Sequence, residues 1–218
     1  MKRVYLVYII MGLFLCGCAA RPTALSSGRT AEQRRAELTL DQIVPAGEPA
    51  SKTPVQTPLN AEAKKVFQTA RKQFKRRRWA DALKSLHTAV QLAPKNPDIR
   101  LLLAQTYLKT ERTVADLSEG KVRKHLAEAV KNNPNLGMAY HLLGRLDQRQ
   151  LMSTDKADRQ TALARQALKH YRRALLCPDA GPNTTLRARV LLHIARTLEK
   201  AGYTRAALTE YQIGRAHV

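Results

Sequence analysis

Cations at helical spacing are the main chemistry this sequence offers. Arg71 and Lys75, Gln105 and Lys109, Arg145 and Arg149, and Arg196 and Lys200 each stand four residues apart, an interval that puts both side chains on one face of an α-helix. Seven of these eight residues are basic. Lys64, His141 and Arg189 fall near the same face, earlier in their helices. Rows of guanidinium forks and ammonium charges are suited to holding carboxylates. Bond-making chemistry has no comparable support. His87, His125, His141, His170, His193 and His217 include no His-Glu-x-x-His pair to seat zinc on one helical face. There is no Gly-x-Ser-x-Gly elbow and no phosphate-cradling Gly-Lys-Thr loop. No enzymatic activity, cofactor or metal is expected.

The thiols have a different use. Lys2 and Arg3 precede an apolar run from Val4 to Leu15, the charged and apolar regions of a secretory signal, too short for a comfortable membrane span. Leu15-Cys16-Gly17-Cys18, followed by Ala19-Ala20, resembles the bacterial lipobox, in which a small residue precedes a cysteine that is acylated on sulfur and becomes the mature N-terminus. Leu15, Gly17 and Cys18 fit that pattern. Cys16 fits worse, with bulky Leu15 at the cleavage point. The resemblance implies a signal peptide over residues 1–17 and lipidation of Cys18. In a host with two membranes, Ala19 rather than Asp after the cysteine implies the outer membrane, periplasmic face, with the inner membrane as the alternative. Cys177 is then left alone, which excludes an intramolecular disulfide, and reads as a small apolar residue rather than a nucleophile.

The formal net charge is +21 and the pI is near 10.5. A cytosolic chain of this charge suggests nucleic acid first. Export replaces that with anionic lipid headgroups, acidic glycans, or acidic segments of envelope proteins. Only 5% of the residues are aromatic, little for stacking bases, so no nucleic-acid partner is expected.

The elements that position these cations are helices. Residues 18–60 carry Pro22, Pro45, Pro49, Pro54 and Pro58 and no sustained apolar period, and read as a flexible tether reaching roughly 35 Å. Within it, Thr30 and Gln33 form a candidate capping pair for a brief helix to Leu40. From Ala61 the pattern is helical throughout. Arg77 to Pro97 (RRWADALKSLHTAVQLAPKNP) places small Ala82 and Ala89 around Leu86, with Pro94 as a stop. The pattern recurs as Val122, Leu126, Ala129 and Pro134, then as Ala167, Tyr171 and Ala174, then as Ala207 and Tyr211. The partner helices carry small Ala70, Ala104, Gly144 and Ala195, with thirty-four residues between the first two. Arg78 or Trp79 opens the second helix of the first pair, and Gly202 sits at the last turn.

That period, with Leu103-Ala104-x-x-Tyr107, resembles the tetratricopeptide repeat over about Ala61 to Gln212. The resemblance implies an all-α, right-handed α-solenoid of about four helical hairpins over residues 61–212. An irregular all-α bundle is the alternative. In that family the first helices line a concave groove that binds partners, and the residue after the small position points into it. Carried over, this makes Arg71, Lys75, Gln105, Lys109, His141, Arg145, Arg149, Arg189, Arg196 and Lys200 the candidate partner-binding residues. The expected ligand is an acidic segment or C-terminal carboxylate of an envelope protein. Anionic glycan or lipopolysaccharide is the alternative. Phe67 and Phe74 are either an apolar pocket beside this face or core. Among exported relatives the chain is loosely similar to the pilotin lipoproteins that help type IV pilus secretins assemble.

Two stretches depart from the repeat. Lys109 to Ser118 and Arg149 to Asp158 are insertions, with Ser118, and Thr154 followed by Asp155, as expected helix N-caps and part of each insertion lengthening the second helix. Cys177 to Thr185 is a longer joint where the stack is expected to bend. The last six residues, Ile213 to Val218, match the translation of a common sequencing adapter. Residues 213–218 are therefore expected to be a tail foreign to the natural chain.

Overall fold

The computed structural model describes residues 30–45, 47, 58–110, 119–182 and 184–215. The signal sequence and Cys18 lie outside them, as do Ser118 and the last three residues. The chain divides into two units, residues 1–35 and 36–218. In the first, α1 (Ala31–Glu37, which ends in the second unit) starts with the expected reciprocal cap. The Gln33 amide N–H donates to Thr30 Oγ1 at 3.2 Å, and the Thr30 N–H donates to Gln33 Oε1 at 3.0 Å.

In the second unit a short α2 (Leu40–Ile43) precedes four hairpins. These are α3 (Ala61–Lys75) with α4 (Trp79–Leu92), α5 (Pro97–Thr110) with α6 (Glu119–Asn132), α7 (Gly137–Met152) with α8 (Ala157–Leu175), and α9 (Thr185–Lys200) with α10 (Thr204–Arg215). From α3 onward each helix packs on its successor, as a solenoid requires. Ile213, Gly214 and Arg215 continue the last helix.

The residues that defined the repeat form its core. Ala70, Ala82, Leu86, Ala89, Ala104, Val122, Leu126, Ala129, Ala167, Tyr171, Ala174 and Ala195 are fully buried. Small side chains let the helix backbones approach, and the larger ones fill the space between them. One close approach is at Gly144, where an added Cβ would lie 2.6 Å from the Tyr171 ring. Helix starts are secured by short polar side chains. Asn60 Oδ1 accepts from the Ala63 N–H, Asn96 Oδ1 from Ile99, and Thr184 Oγ1 from Arg187.

The joint after α8 also caps a helix. It contains a 3-10 turn (Pro178–Ala180), and Asp179 there accepts from the Gly137 and Met138 N–H groups at 2.9 and 3.0 Å. The start of α7 is thus held by a carboxylate from the far end of its own hairpin.

Two local expectations change. The α8 helix starts at Ala157 after Lys156, which makes no side-chain cap, rather than at Thr154 or Asp155. The Thr154 carbonyl instead accepts from Gln160 Nε2 at 2.7 Å. The insertion lengthens α8 to 19 residues, against 14 in α4, whereas the insertion before α6 lies outside the described residues. Finally, Leu38 to Val44, read as tether, is packed into the core of the last two hairpins through Ile43. Arg172 on α8 donates to the carbonyls of Leu40 and Val44 and pairs with Asp41.

Two hairpin turns share a left-handed residue. Gly202 has φ 81° and Arg77 has φ 60°. Glycine takes that conformation freely, whereas a residue with a Cβ is strained there by about 1 kcal/mol or more.

Candidate functional site

First helices α5, α7 and α9 supply one groove. Gln105, Leu108 and Lys109 come from α5, Met138, His141, Leu142, Arg145, Leu146 and Arg149 from α7, and Arg189 from α9, with Phe74 at the end of α3. The cavity is about 500 Å³. The i, i+4 spacing sets Gln105 beside Lys109, and Arg145 beside both His141 and Arg149. The result is a floor of Phe74, Leu108, Leu142 and Leu146 under cations. A second hollow of about 380 Å³, lined by Phe67, Arg71, Asp98, Leu101, Leu102 and Gln105, adjoins it through Gln105. The Arg71 guanidinium sits 5.9 Å from the Phe67 ring centroid.

Six of the ten candidate residues therefore meet in one groove: Gln105, Lys109, His141, Arg145, Arg149 and Arg189. Arg71 joins through the adjoining hollow. Lys75, Arg196 and Lys200 are exposed but line neither space. Arg196 acts instead on His193 and on Tyr211 of α10. The row of i, i+4 pairs therefore breaks at both ends, at Lys75 in the first hairpin and at Arg196 and Lys200 in the fourth, although Arg189 of the fourth still reaches the groove. Phase along a helix fixes neighbours on that helix, whereas the angle at which the next hairpin sits decides whether rows meet.

His141 borders the groove but is not a charged contact. It is 4% exposed, and both ring nitrogens are buried without a hydrogen-bond partner. Burial, then His193, Arg145 and Arg189, lower its pKa to about 3, so it is a neutral wall. Phe74 lines the groove and Phe67 the hollow, so both face the candidate site. Asp98, an acid within the hollow, had no sequence signal, since it reads as an ordinary first-turn helix residue.

Beneath the groove lie two polar hubs that set its geometry. Asp147, fully buried on α7, accepts from Arg123 of α6 at 2.8 Å and from Gln166 of α8 at 3.3 Å, and lies 2.7 Å from His170 Nδ1. Gln148 beside it donates to the His193 carbonyl and to Thr197 Oγ1 on α9, and its Oε1 accepts from Tyr171 OH and His193 Nδ1. Every hydrogen-bonding direction of that amide is used, so α7, α8 and α9 are locked in one register. Burial, then Arg145 and Arg196, lower the His193 pKa to about 4. Cys177 is buried, and burial pushes its thiol pKa up to about 11. Such a thiol is a packing group.

The sequence model described as "Tetratricopeptide repeat" matches residues 73–115. No curated protein gives a significant match. Among solved structures, the crystal structure of MamA is 15% identical with a TM-score of 0.55, over 71% of this chain and 77% of that one. A second MamA structure is 14% identical with a TM-score of 0.56, over 71% and 72%. TTC0263, a thermophilic TPR protein in Thermus thermophilus, is 17% identical with a TM-score of 0.54, over 71% and 73%. The fold is therefore the all-α solenoid of tetratricopeptide-repeat proteins. No helix among the described residues is long and apolar enough to cross a membrane.

Proposed function

We propose that this chain is a non-enzymatic protein-interaction scaffold, held by a lipid on Cys18 at the periplasmic face of the bacterial outer membrane. Its groove receives an acidic segment of an envelope protein. The observation that carries this reading is the convergence of Lys109, Arg145, Arg149 and Arg189 over an apolar floor in one cavity of about 500 Å³. An apolar floor beneath a cationic rim selects a segment that alternates apolar and acidic residues. The apolar side chains supply burial, and the carboxylates give orientation and on-rate. An assembly role, such as secretin or pilus assembly, fits such a scaffold.

The test is crosslinking from the groove in the native host, identification of the captured segment, and titration of that segment as a synthetic peptide. Saturable binding that is lost in both Arg145→Glu and Arg189→Glu supports the reading. Saturation of the same residues by purified anionic polysaccharide, with no peptide bound, overturns it in favour of a glycan ligand.

A further inference from the structure

The turns that close the first and fourth hairpins are one structure built from different residues. Arg76, Arg77 and Arg78 stand where Ala201, Gly202 and Tyr203 stand 125 positions later. Their N–H groups donate in the same order. Arg76 bonds the carbonyl of Lys72, Arg77 that of Phe74 and Arg78 that of Gln73. Ala201 bonds Thr197, Gly202 bonds Glu199 and Tyr203 bonds Leu198. The middle residue takes positive φ in both, and the fourth hairpin gives that place to glycine. The first gives it to arginine, against the preference of its own backbone.

Nothing within the described fold compensates for that choice. Lys75, Arg76, Arg77 and Arg78 are all exposed, and no acidic side chain among the described residues pairs with them. None of the four lines the groove or the hollow. At the equivalent of Arg78, Tyr203 is buried in the core, so the turn itself has no need of three arginines. A strained residue that stabilises nothing inside the molecule points to something outside it.

We propose that this turn is a docking point for the anionic headgroup surface of a membrane. The side chains of this turn are exposed and line neither the groove nor the hollow in which a peptide could lie. A plane of phosphates meets such a tip without needing one. Guanidinium groups bind phosphate oxygens in pairs, and clustered cations near a membrane add their attractions. Trp79, next in sequence and edge-on to Phe74 at 4.9 Å, is a residue type that settles at headgroup depth. This proposal stands apart from the groove reading and uses none of its cations.

The full chain carrying Cys18→Ser, so that acylation does not dominate, is partitioned onto two kinds of vesicle. One set is phosphatidylglycerol mixed with phosphatidylethanolamine, and the other is phosphatidylcholine. The chain is expected to prefer the anionic vesicles. Arg77→Gly weakens that preference about fivefold, in line with one cation at a membrane surface, and raises the urea midpoint because the strain is relieved. Replacing Arg76, Arg77 and Arg78 together by Gln removes most of the preference, while Gln at the exposed Lys121, Lys124 and Arg165, the same change in charge, leaves most of it. Equal partition onto both vesicles overturns the proposal. So does an Arg77→Gly chain that partitions like the parent, or one that is less stable. Poly-glutamate bound by the three arginines, with anionic vesicles not bound, assigns the tip to an acidic protein and also overturns it.

Discussion

Gly144 lies against the face of Tyr171 so closely that a Cβ at this position would sit 2.6 and 2.7 Å from two ring carbons. The contact is one of the tight points of the third hairpin and holds α7 and α8 close together. Replacing a helical glycine by alanine ordinarily stabilises by about 0.5 to 1 kcal/mol. Here overpacking dominates, at about 1 to 3 kcal/mol. Gly144→Ala is expected to lower the urea midpoint, and Gly144→Ala with Tyr171→Leu to recover part of the loss. A stabilised single variant would mean that the helices are not in contact.

Asp147 gives a second test of the hairpin's rigidity. Its carboxylate meets Arg123, Gln166 and His170 in a fully buried position. Arg123 and His170 remain partly exposed, so water relieves some of the loss when the carboxylate is removed. Asp147→Ala is expected to cost about 2 to 3 kcal/mol in urea denaturation. Acidic-peptide affinity should fall alongside it, because the hub positions α7. An unchanged midpoint would show that the network contributes nothing to stability.

The repeat was legible in the sequence because each hairpin restates it. Ala82, Leu86 and Ala89 have counterparts at the same spacing within each later hairpin, and all of them are fully buried except Ala207, which is nearly so, and Tyr211, which is partly exposed. The Thr30 and Gln33 cap was legible because it is local. The docking of Leu38 to Val44 was not. Four apolar residues among prolines give no period, and their partner, Arg172, is over a hundred positions away. The break in the cation row at Arg196 escaped for a similar reason. Periodicity reports where a side chain points on its own helix and carries no information about the angle made by the joint at 177–184.

That docked segment has its own energetics. Asp41 is largely exposed, so its pair with Arg172 contributes at most about 1 kcal/mol. Ile43 is buried, and its side chain contributes about 1.5 to 3 kcal/mol. Limited proteolysis is expected to cut between residues 36 and 60 much faster in Ile43→Ser, with Asp41→Asn close to the parent. The reverse ranking would mean that charge, not burial, holds the segment.

The anchor is testable without any structure. Cys18→Ser is expected to abolish incorporation of labelled fatty acid and to leave the precursor unprocessed, while Cys16→Ser is labelled normally. Labelling of the Cys18→Ser chain removes the lipoprotein reading but leaves the groove untouched.

Acid sensitivity follows from two histidines held neutral, His141 buried and His193 half-buried. His141 and His193 have folded-state pKa values lowered from 6.5 to about 3 and about 4, mainly by burial and then by nearby cations. The unfolded chain therefore takes up protons first as pH falls. Stability is level above about pH 6.5 and declines below it, until His193 titrates in the fold near pH 4 and His141 near pH 3. Within that window each histidine contributes a slope of up to about 1.4 kcal/mol per pH unit. Urea midpoints between pH 7 and pH 5 are the cleanest measure, because most carboxylates have yet to protonate. His141→Phe keeps the ring volume and loses no hydrogen bond, since neither nitrogen has a partner. It is expected to be at least as stable as the parent at pH 7 and to lose stability less steeply on acidification, the remaining slope coming from His193 and from His125, whose pKa burial also lowers. A slope unchanged by this substitution would place the His141 ring in contact with solvent rather than under the groove wall.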